Sequence, residues 1–203
     1  MITYIVFYLL LLTITFFKDR KMGFILGCII LGVFSSARYY VGADYGYYYG
    51  ISTQAGRDFY FSNKWFYYNY NLEMDFFKLL SDFALSIECP RLPIIIFAGL
   101  NSYFLYKILS TQKFKISKLL VYASFPLFYT LSFTTIPQSL SSLIILYSFL
   151  LFKKKKFIKS LMLVLFSVYV HKSALIIIFI FLGLGFILVN KTRIKFFIAL
   201  FIK

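Results

Sequence analysis

The sequence is poor in the residues on which metal proteins and most soluble catalysts are built. Among 203 residues it has one histidine, two cysteines, one tryptophan, four prolines and seven acidic side chains. His171 stands without a second histidine or a carboxylate at ligand spacing, so no metal motif forms and no cofactor is expected. Cys28 and Cys89 lie too far apart for a metal or redox motif, and both sit in apolar or amphipathic surroundings. No basic stretch precedes the first apolar run and no small-residue cleavage site follows it. That run is therefore expected to be a retained span rather than a signal peptide. Internal repeats are missing too, and the only low-complexity stretch is the lysine run at 153–156.

What the chain does have is apolar length. Hydrophobic residues make up 61% of it and aromatic residues 23%, with a mean hydropathy of +0.82. A soluble domain has about 45–50% apolar residues, so the composition predicts an all-α, polytopic transmembrane helical bundle. A helix needs about 17–25 mainly apolar residues to cross a bilayer. Spans are expected at roughly 2–17, 22–37, 92–109, 119–135, 137–152, 157–171 and 173–189, with an eighth starting near 196. The closing run FFIALFIK is too short to cross. Residues 1–203 are thus expected to form one membrane domain that stops within a further span, as a partial chain would. The formal charge of +15 does not indicate a nucleic-acid partner, because the basic residues fall in short clusters between apolar runs.

Those clusters orient the bundle, since Lys and Arg accumulate in cytoplasmic loops. KDRK at 18–21, the lysines at 107, 113, 115 and 118, KKKKFIK at 153–159, NKTRIK at 190–195 and Lys203 hold 16 of the 22 basic residues. Of the acidic residues only Asp19 falls with them. The pattern places the N-terminus outside and allows a single crossing between residue 38 and the lysines after 107. An outer segment of about 38–91 follows, including FFKLLSDFALSIECP, whose apolar residues recur at helical spacing between Lys78, Asp82 and Glu88. It is expected to be an amphipathic helix over about 74–90 lying at the interface and stopped by Pro90. As a crossing helix it would invert every later basic loop. The many tyrosines of 38–75, with Trp65, are expected in the aromatic belt at headgroup level, although residues of the same kind also stack on and hydrogen-bond to sugars.

Three turns then bring polar residues to the outer face: Arg38 and Asp44 after the second span, Thr134, Thr135 and Gln138 around Pro137, and His171, Lys172 and Ser173 between the sixth and seventh. Each has a structural explanation as well as a functional one. Arg38 suits a snorkelling helix end, Asp44 suits a turn between Gly42 and Gly46, and His171 suits a polar helix terminus. The functional alternative is proton transfer by a group that titrates near neutrality.

The stretch RYYVGADY at 38–45, followed by HKSALI at 171–176, resembles the Wzy/EpsG type of bacterial polysaccharide polymerase, as does the carboxylate-bearing segment NLEMDFFKLL at 71–80. The resemblance covers most of the chain in order and spacing. It implies a multi-pass enzyme of the bacterial cytoplasmic (inner) membrane that extends O-antigen, lipopolysaccharide, capsule or exopolysaccharide on the outer face. Such a glycosyltransferase moves a glycan from one undecaprenyl-diphosphate carrier onto another lipid-linked repeat unit and consumes no sugar nucleotide. The implied partners are that lipid-linked glycan, membrane lipid, a chain-length regulator and a flippase.

On this resemblance Arg38, Asp44 and His171 are the catalytic candidates. The Arg38 guanidinium suits the charge that grows on a departing diphosphate. His171 or Asp44 would take the acceptor proton, and Asp44 would alternatively orient Arg38 or bind acceptor hydroxyls. Tyr45, Gln138, Lys172 and Ser173 are candidate substrate contacts. The sequence departs from the family where an Arg-Gln pair is common, reading IPQS, with Pro137 in the arginine's place. Relatives are also longer. Rival assignments are a flippase or other transporter, a membrane acyltransferase that modifies glycans, and a chain-length factor. A transporter calls for polar residues at mid-depth, an acyltransferase using a cytosolic thioester calls for His or Arg motifs on inner loops, and a chain-length factor calls for few spans and a large outer domain.

Overall fold

A computed structural model describes residues 2–38, 44–64, 75–124, 129, 133, 135–176 and 178–179. The described residues are helical and include no strand. Helix α1 (Ile2–Thr13) runs into a 3-10 turn (Ile14–Phe16), followed by α2 (Arg20–Ala37), α3 (Tyr45–Gly50), α4 (Gln54–Phe61) and α5 (Asp75–Ser86). Then come α6 (Leu92–Ser110), α7 (Lys115–Ser124), α8 (Ile136–Lys153) and α9 (Phe157–Val170).

The 18 residues of α2, 19 of α6 and 18 of α8 make these helices long and apolar enough to cross a membrane. At 1.5 Å per residue they reach about 27–28 Å, close to the hydrocarbon thickness of about 30 Å. They correspond to the second, third and fifth expected spans. The first and sixth are present as α1 and α9, apolar but only 12 and 14 residues long. The fourth is represented by α7 with Tyr129 and Phe133, the seventh is described only at its start, and the eighth lies outside the described residues. Large side chains such as Leu9, Val33, Leu161 and Leu165 stand exposed on α1, α2 and α9, as they would with lipid rather than water for solvent.

Local chemistry sets the helix ends. Asp19 caps α2 by accepting from the Lys21 and Met22 amides at 2.8 and 3.3 Å. Pro93 and Pro137 sit in the first turns of α6 and α8, where a missing N–H costs nothing. Pro137 thus has a structural role of its own. Helix α5 stops earlier than expected, at Ser86. Glu88 takes a left-handed conformation (φ 54°), and the Cys89 amide donates back to the Ala84 carbonyl at 2.9 Å, a Schellman turn completed before Pro90. The lysine run does the same for α8, with Lys155 at φ 60° and the Lys156 amide donating to the Leu151 carbonyl at 3.0 Å.

Helix α6 joins two buried clusters. One holds Phe7, Leu11, Ile14, Phe24, Leu31 and Leu119 with Leu105 and Leu109 of α6. The other holds Tyr45, Tyr48, Phe77, Ile136, Leu140 and Val170 with Ile94, Phe97 and Phe104. Close approach along α2 rests on small residues: a side chain at Gly23 would meet the Ile14 carbonyl oxygen at 2.7 Å, and one at Gly32 would meet Ser102 Oγ at 2.9 Å.

The contacts also fix direction. Phe24 stacks with Tyr106 at 5.4 Å while Arg91 reaches the α2 carbonyls at 36 and 38, so α2 and α6 are antiparallel. Ser139 lies 3.4 Å from Asn101, and Phe104 lies 6.0 Å from Tyr147, so α8 runs parallel to α6. Ser160 donates to the Ser148 carbonyl at 2.8 Å, and α9 returns. One end of the bundle therefore carries the basic residues 18–21, 107–118 and 153–159, and the other carries Arg38, Asp44, Arg91, Gln138 and His171. This is the segregation that the charge pattern predicts.

Candidate functional site

The end that carries Arg38 and His171 is organised by a short helical hairpin. Helices α3 and α4 touch through Gly50 and Gly56: a Cβ on Gly56 would strike the Gly50 backbone, and a Cβ on Gly50 would sit 2.5 Å from the Tyr60 ring. Thr53 caps α4, accepting from the Gly56 amide at 3.1 Å. Arg57 then bridges to both neighbours, donating through Nε to the Ile51 carbonyl at 2.7 Å and pairing with Asp82 of α5 at 2.7 Å. Ser52 Oγ lies 3.3 Å from Ser81 Oγ in a buried contact with the same helix.

Helix α5 connects the arginine side of this end to the histidine side. Its Phe77 is fully buried, with its ring 5.0 Å from that of Tyr48. Its Phe76 packs on Phe166 and Tyr169 of α9 at 5.4 and 6.0 Å, and Asp75 pairs with Lys172 at 3.7 Å. The helix is amphipathic, as expected, yet its apolar residues divide between two faces. Phe77 and Ala84 are buried in protein, while Leu79 and Phe83 are exposed.

Arg38 is 7% exposed at the C-terminus of α2, its guanidinium carbon 4.7 Å above the Phe133 ring. Burial lowers its pKa to about 10, and nearby Tyr129, Tyr45, Tyr4 and Tyr48 oppose that shift. The group therefore stays protonated at neutral pH, held in a low-dielectric wall of aromatic rings. Arg91, at the start of α6, donates from Nη2 to the Ser36 carbonyl at 2.9 Å and to the Arg38 carbonyl at 3.2 Å. It thereby satisfies the open end of α2 and fixes the backbone from which Arg38 projects.

Asp44 precedes α3, its carbonyl accepting from the Tyr48 amide at 3.0 Å. Partial burial raises its carboxyl pKa. Tyr48 feels both Asp44 and Arg38: its hydroxyl is raised first by burial and then by Asp44, and Arg38 acts in the opposite sense. Arg38 and Asp44 thus share one aromatic neighbourhood. Tyr45 departs from the expectation of a headgroup belt and of an open sugar platform. It is 0% exposed, and Tyr48 only 6%, because α3 packs its rings down onto α5 and α6.

His171 ends α9 in an extended conformation. Its Nδ1 accepts from the Ser173 amide at 3.2 Å and lies 2.7 Å from Ser173 Oγ. A backbone N–H only donates, so neutral His171 carries its proton on Nε2. Ser173 is thus a partner of the imidazole, and Lys172 is tied to Asp75. Gln138 stands exposed on the first turn of α8 and belongs to this end only through its helix. Residues 39–43, 65–74 and Thr134, which include Trp65, the middle of RYYVGADY and the start of NLEMDFFKLL, lie outside the described residues.

Two features have no counterpart among the expected site residues. One is Arg91, whose signal was a basic side chain at the outer start of an apolar run, against the charge rule. The other is an apolar groove of about 500 Å³ between α2 and α6, running from Tyr106 and Cys28 past Gly99 to Ser36, next to the carbonyls that Arg91 holds.

Residues 21–203 match the model of the EpsG family. No curated protein and no solved structure matches the chain.

Proposed function

Because the chain belongs to the EpsG family, which is associated with exopolysaccharide biosynthesis, we propose that it is a glycosyltransferase of the bacterial cytoplasmic membrane joining lipid-diphosphate-linked oligosaccharide repeats on the outer face. The observation that carries this reading is Arg38: a charged guanidinium buried among aromatic rings at the bundle end opposite the main lysine clusters, with Tyr48 under the influence of both Arg38 and Asp44. A preorganised cation in a dry wall helps most where charge develops late, as on a departing diphosphate.

In the proposed step an acceptor hydroxyl attacks the anomeric carbon of the donor repeat. The bond from that carbon to the diphosphate oxygen breaks, and the electron pair leaves with the lipid diphosphate toward Arg38. Asp44 takes the hydroxyl proton, a role its raised pKa suits because a more basic carboxylate is a better acceptor. His171, with Nδ1 engaged by Ser173, offers Nε2–H as a donor to a diphosphate or sugar oxygen. Arg91 supplies a second guanidinium next to Arg38, where Pro137 removes the one expected from the family pattern. The groove along α2 and α6 provides an apolar chain with a place that reaches Ser36, whose carbonyl Arg91 holds.

A flippase or other transporter is less well supported. The charged residues of α2, α6 and α8 all lie in a first or last turn, with none at mid-depth. The deciding experiment deletes the gene in a strain making the corresponding polymer and complements it with this chain and with its Arg38→Ala variant. Single capped repeats after deletion, and long chains restored by the wild type alone, support polymerisation. An unchanged ladder, or loss of even single-repeat capping, moves the assignment to another step.

A further inference from the structure

The opposite end of the bundle carries a second built feature. Between the 3-10 turn, the start of α2 and the start of α7 lies a depression of about 840 Å³ lined by Thr15, Arg20, Lys21, Gln112, Lys113 and Lys115. Four cations face one space, and among the described residues no carboxylate lines it. The acid nearest in sequence, Asp19, has its Oδ1 committed to the Lys21 and Met22 amides. Arg20 is held in place by donating from Nη1 to the Thr15 carbonyl at 2.8 Å. Lys118 Nζ donates to Gln112 Oε1 at 3.2 Å and so fixes the far wall. Like charges gathered this closely repel one another unless an anion sits among them. Two bare rings stand beside the cations, Phe16 at 84% and Phe114 at 79% exposure. Rings so placed enter the boundary between headgroups and acyl chains.

We propose that this depression is a binding site for a phosphate-bearing anion, met in the membrane as the headgroup of an anionic phospholipid. The cations span two chain segments, so an occupant ties the start of α2 to the start of α7 and braces α2 from the end opposite Arg38. A topogenic lysine cluster alone would need neither the cavity nor the fixed Arg20.

The test uses the full chain in phosphatidylcholine nanodiscs carrying increasing phosphatidylglycerol, with retained lipid counted by native mass spectrometry and thermal unfolding followed in parallel. A separate arm adds inorganic phosphate to discs of phosphatidylcholine alone. Lys113→Gln/Lys115→Gln removes two lining cations that make no structural bond in the described contacts. Lys154→Gln/Lys156→Gln removes two from another loop at the same end. Phosphatidylglycerol is expected to be retained and to raise the unfolding temperature. Each lining cation removed should cost about fivefold in retention, and the distant pair much less. Protection by inorganic phosphate equal to that by the lipid would keep the site and assign its anion to a soluble source. Equal losses from the two double variants, or no response to either anion, would overturn the proposal.

Discussion

Two glycine-to-alanine substitutions, both within helices, should have opposite outcomes. At Gly56 a Cβ would lie 2.5 Å from both Cα and the carbonyl carbon of Gly50, against ordinary contact at 3.4–4 Å, so α3 and α4 must part by about an ångström. Overpacking of that kind costs about 1–3 kcal/mol. The same movement stretches the bond from Thr53 Oγ1 to the Gly50 carbonyl, worth about 1 kcal/mol, and the Arg57 bond to Ile51. The better helix propensity of alanine returns about 1 kcal/mol. At Gly99 nothing lies within 4 Å of the added carbon, so only the propensity gain remains. In a chain of this size 1 kcal/mol moves the unfolding temperature by about 2–4 °C. Gly56→Ala should therefore unfold about 2–12 °C lower than wild type and Gly99→Ala a few degrees higher, followed by circular dichroism in one detergent. Because α3 carries Tyr45 and Tyr48 beneath Arg38, Gly56→Ala should also shorten the polymer. Equal shifts of the same sign would refute the helical hairpin and the support it gives the site.

Arg91→Ala removes both bonds to the end of α2, and hydrogen bonds from a charged donor contribute about 1.5–3 kcal/mol. Polymer-forming rate should fall about tenfold or more, with partial recovery in Arg91→Lys, which can still reach one carbonyl; full activity in Arg91→Ala would remove it from the account. For Asp44 the folded pKa lies above its ordinary value, so folding favours the protonated acid, and stability is lost as pH rises from the unfolded toward the folded pKa. Asp44→Asn should thus leave stability at neutral pH unchanged or higher while abolishing polymerisation, and the wild-type rate should fall as pH drops through that raised value. Destabilisation at neutral pH would contradict the burial argument. In a Cys89→Ser background a membrane-impermeant thiol reagent applied to intact cells should label Gln54→Cys on α4 but not Ser117→Cys on α7, both exposed. The reverse pattern would invert the bundle.

The long helices were legible because runs such as Leu92–Ser110 are apolar over a full membrane thickness, and their directions were legible because Lys and Arg mark one side. The end of α5 was not. A glutamate in the left-handed region at residue 88 carries no sequence signal, whereas Pro90 carries a strong one. Tyr45 and Tyr48 looked like belt residues because interfacial and buried tyrosines share a composition. Which they become depends on where Phe77 and Phe97 meet them, and that is a tertiary fact. Arg38, Asp44 and His171 were legible as polar residues at one end of the bundle, away from the main basic clusters, and the histidine tautomer and the grip of Arg91 on the Arg38 backbone needed coordinates.

The most direct test of polymerase activity is reconstitution. The purified chain in proteoliposomes would be given lipid-diphosphate-linked repeat units and no sugar nucleotide, and products would be read by mass spectrometry. Lipid-linked glycans growing by whole repeats, one free lipid diphosphate released per addition, and no growth with Arg38→Ala are the predicted result. Growth that requires a sugar nucleotide, or wild-type growth by the Arg38→Ala chain, would contradict it.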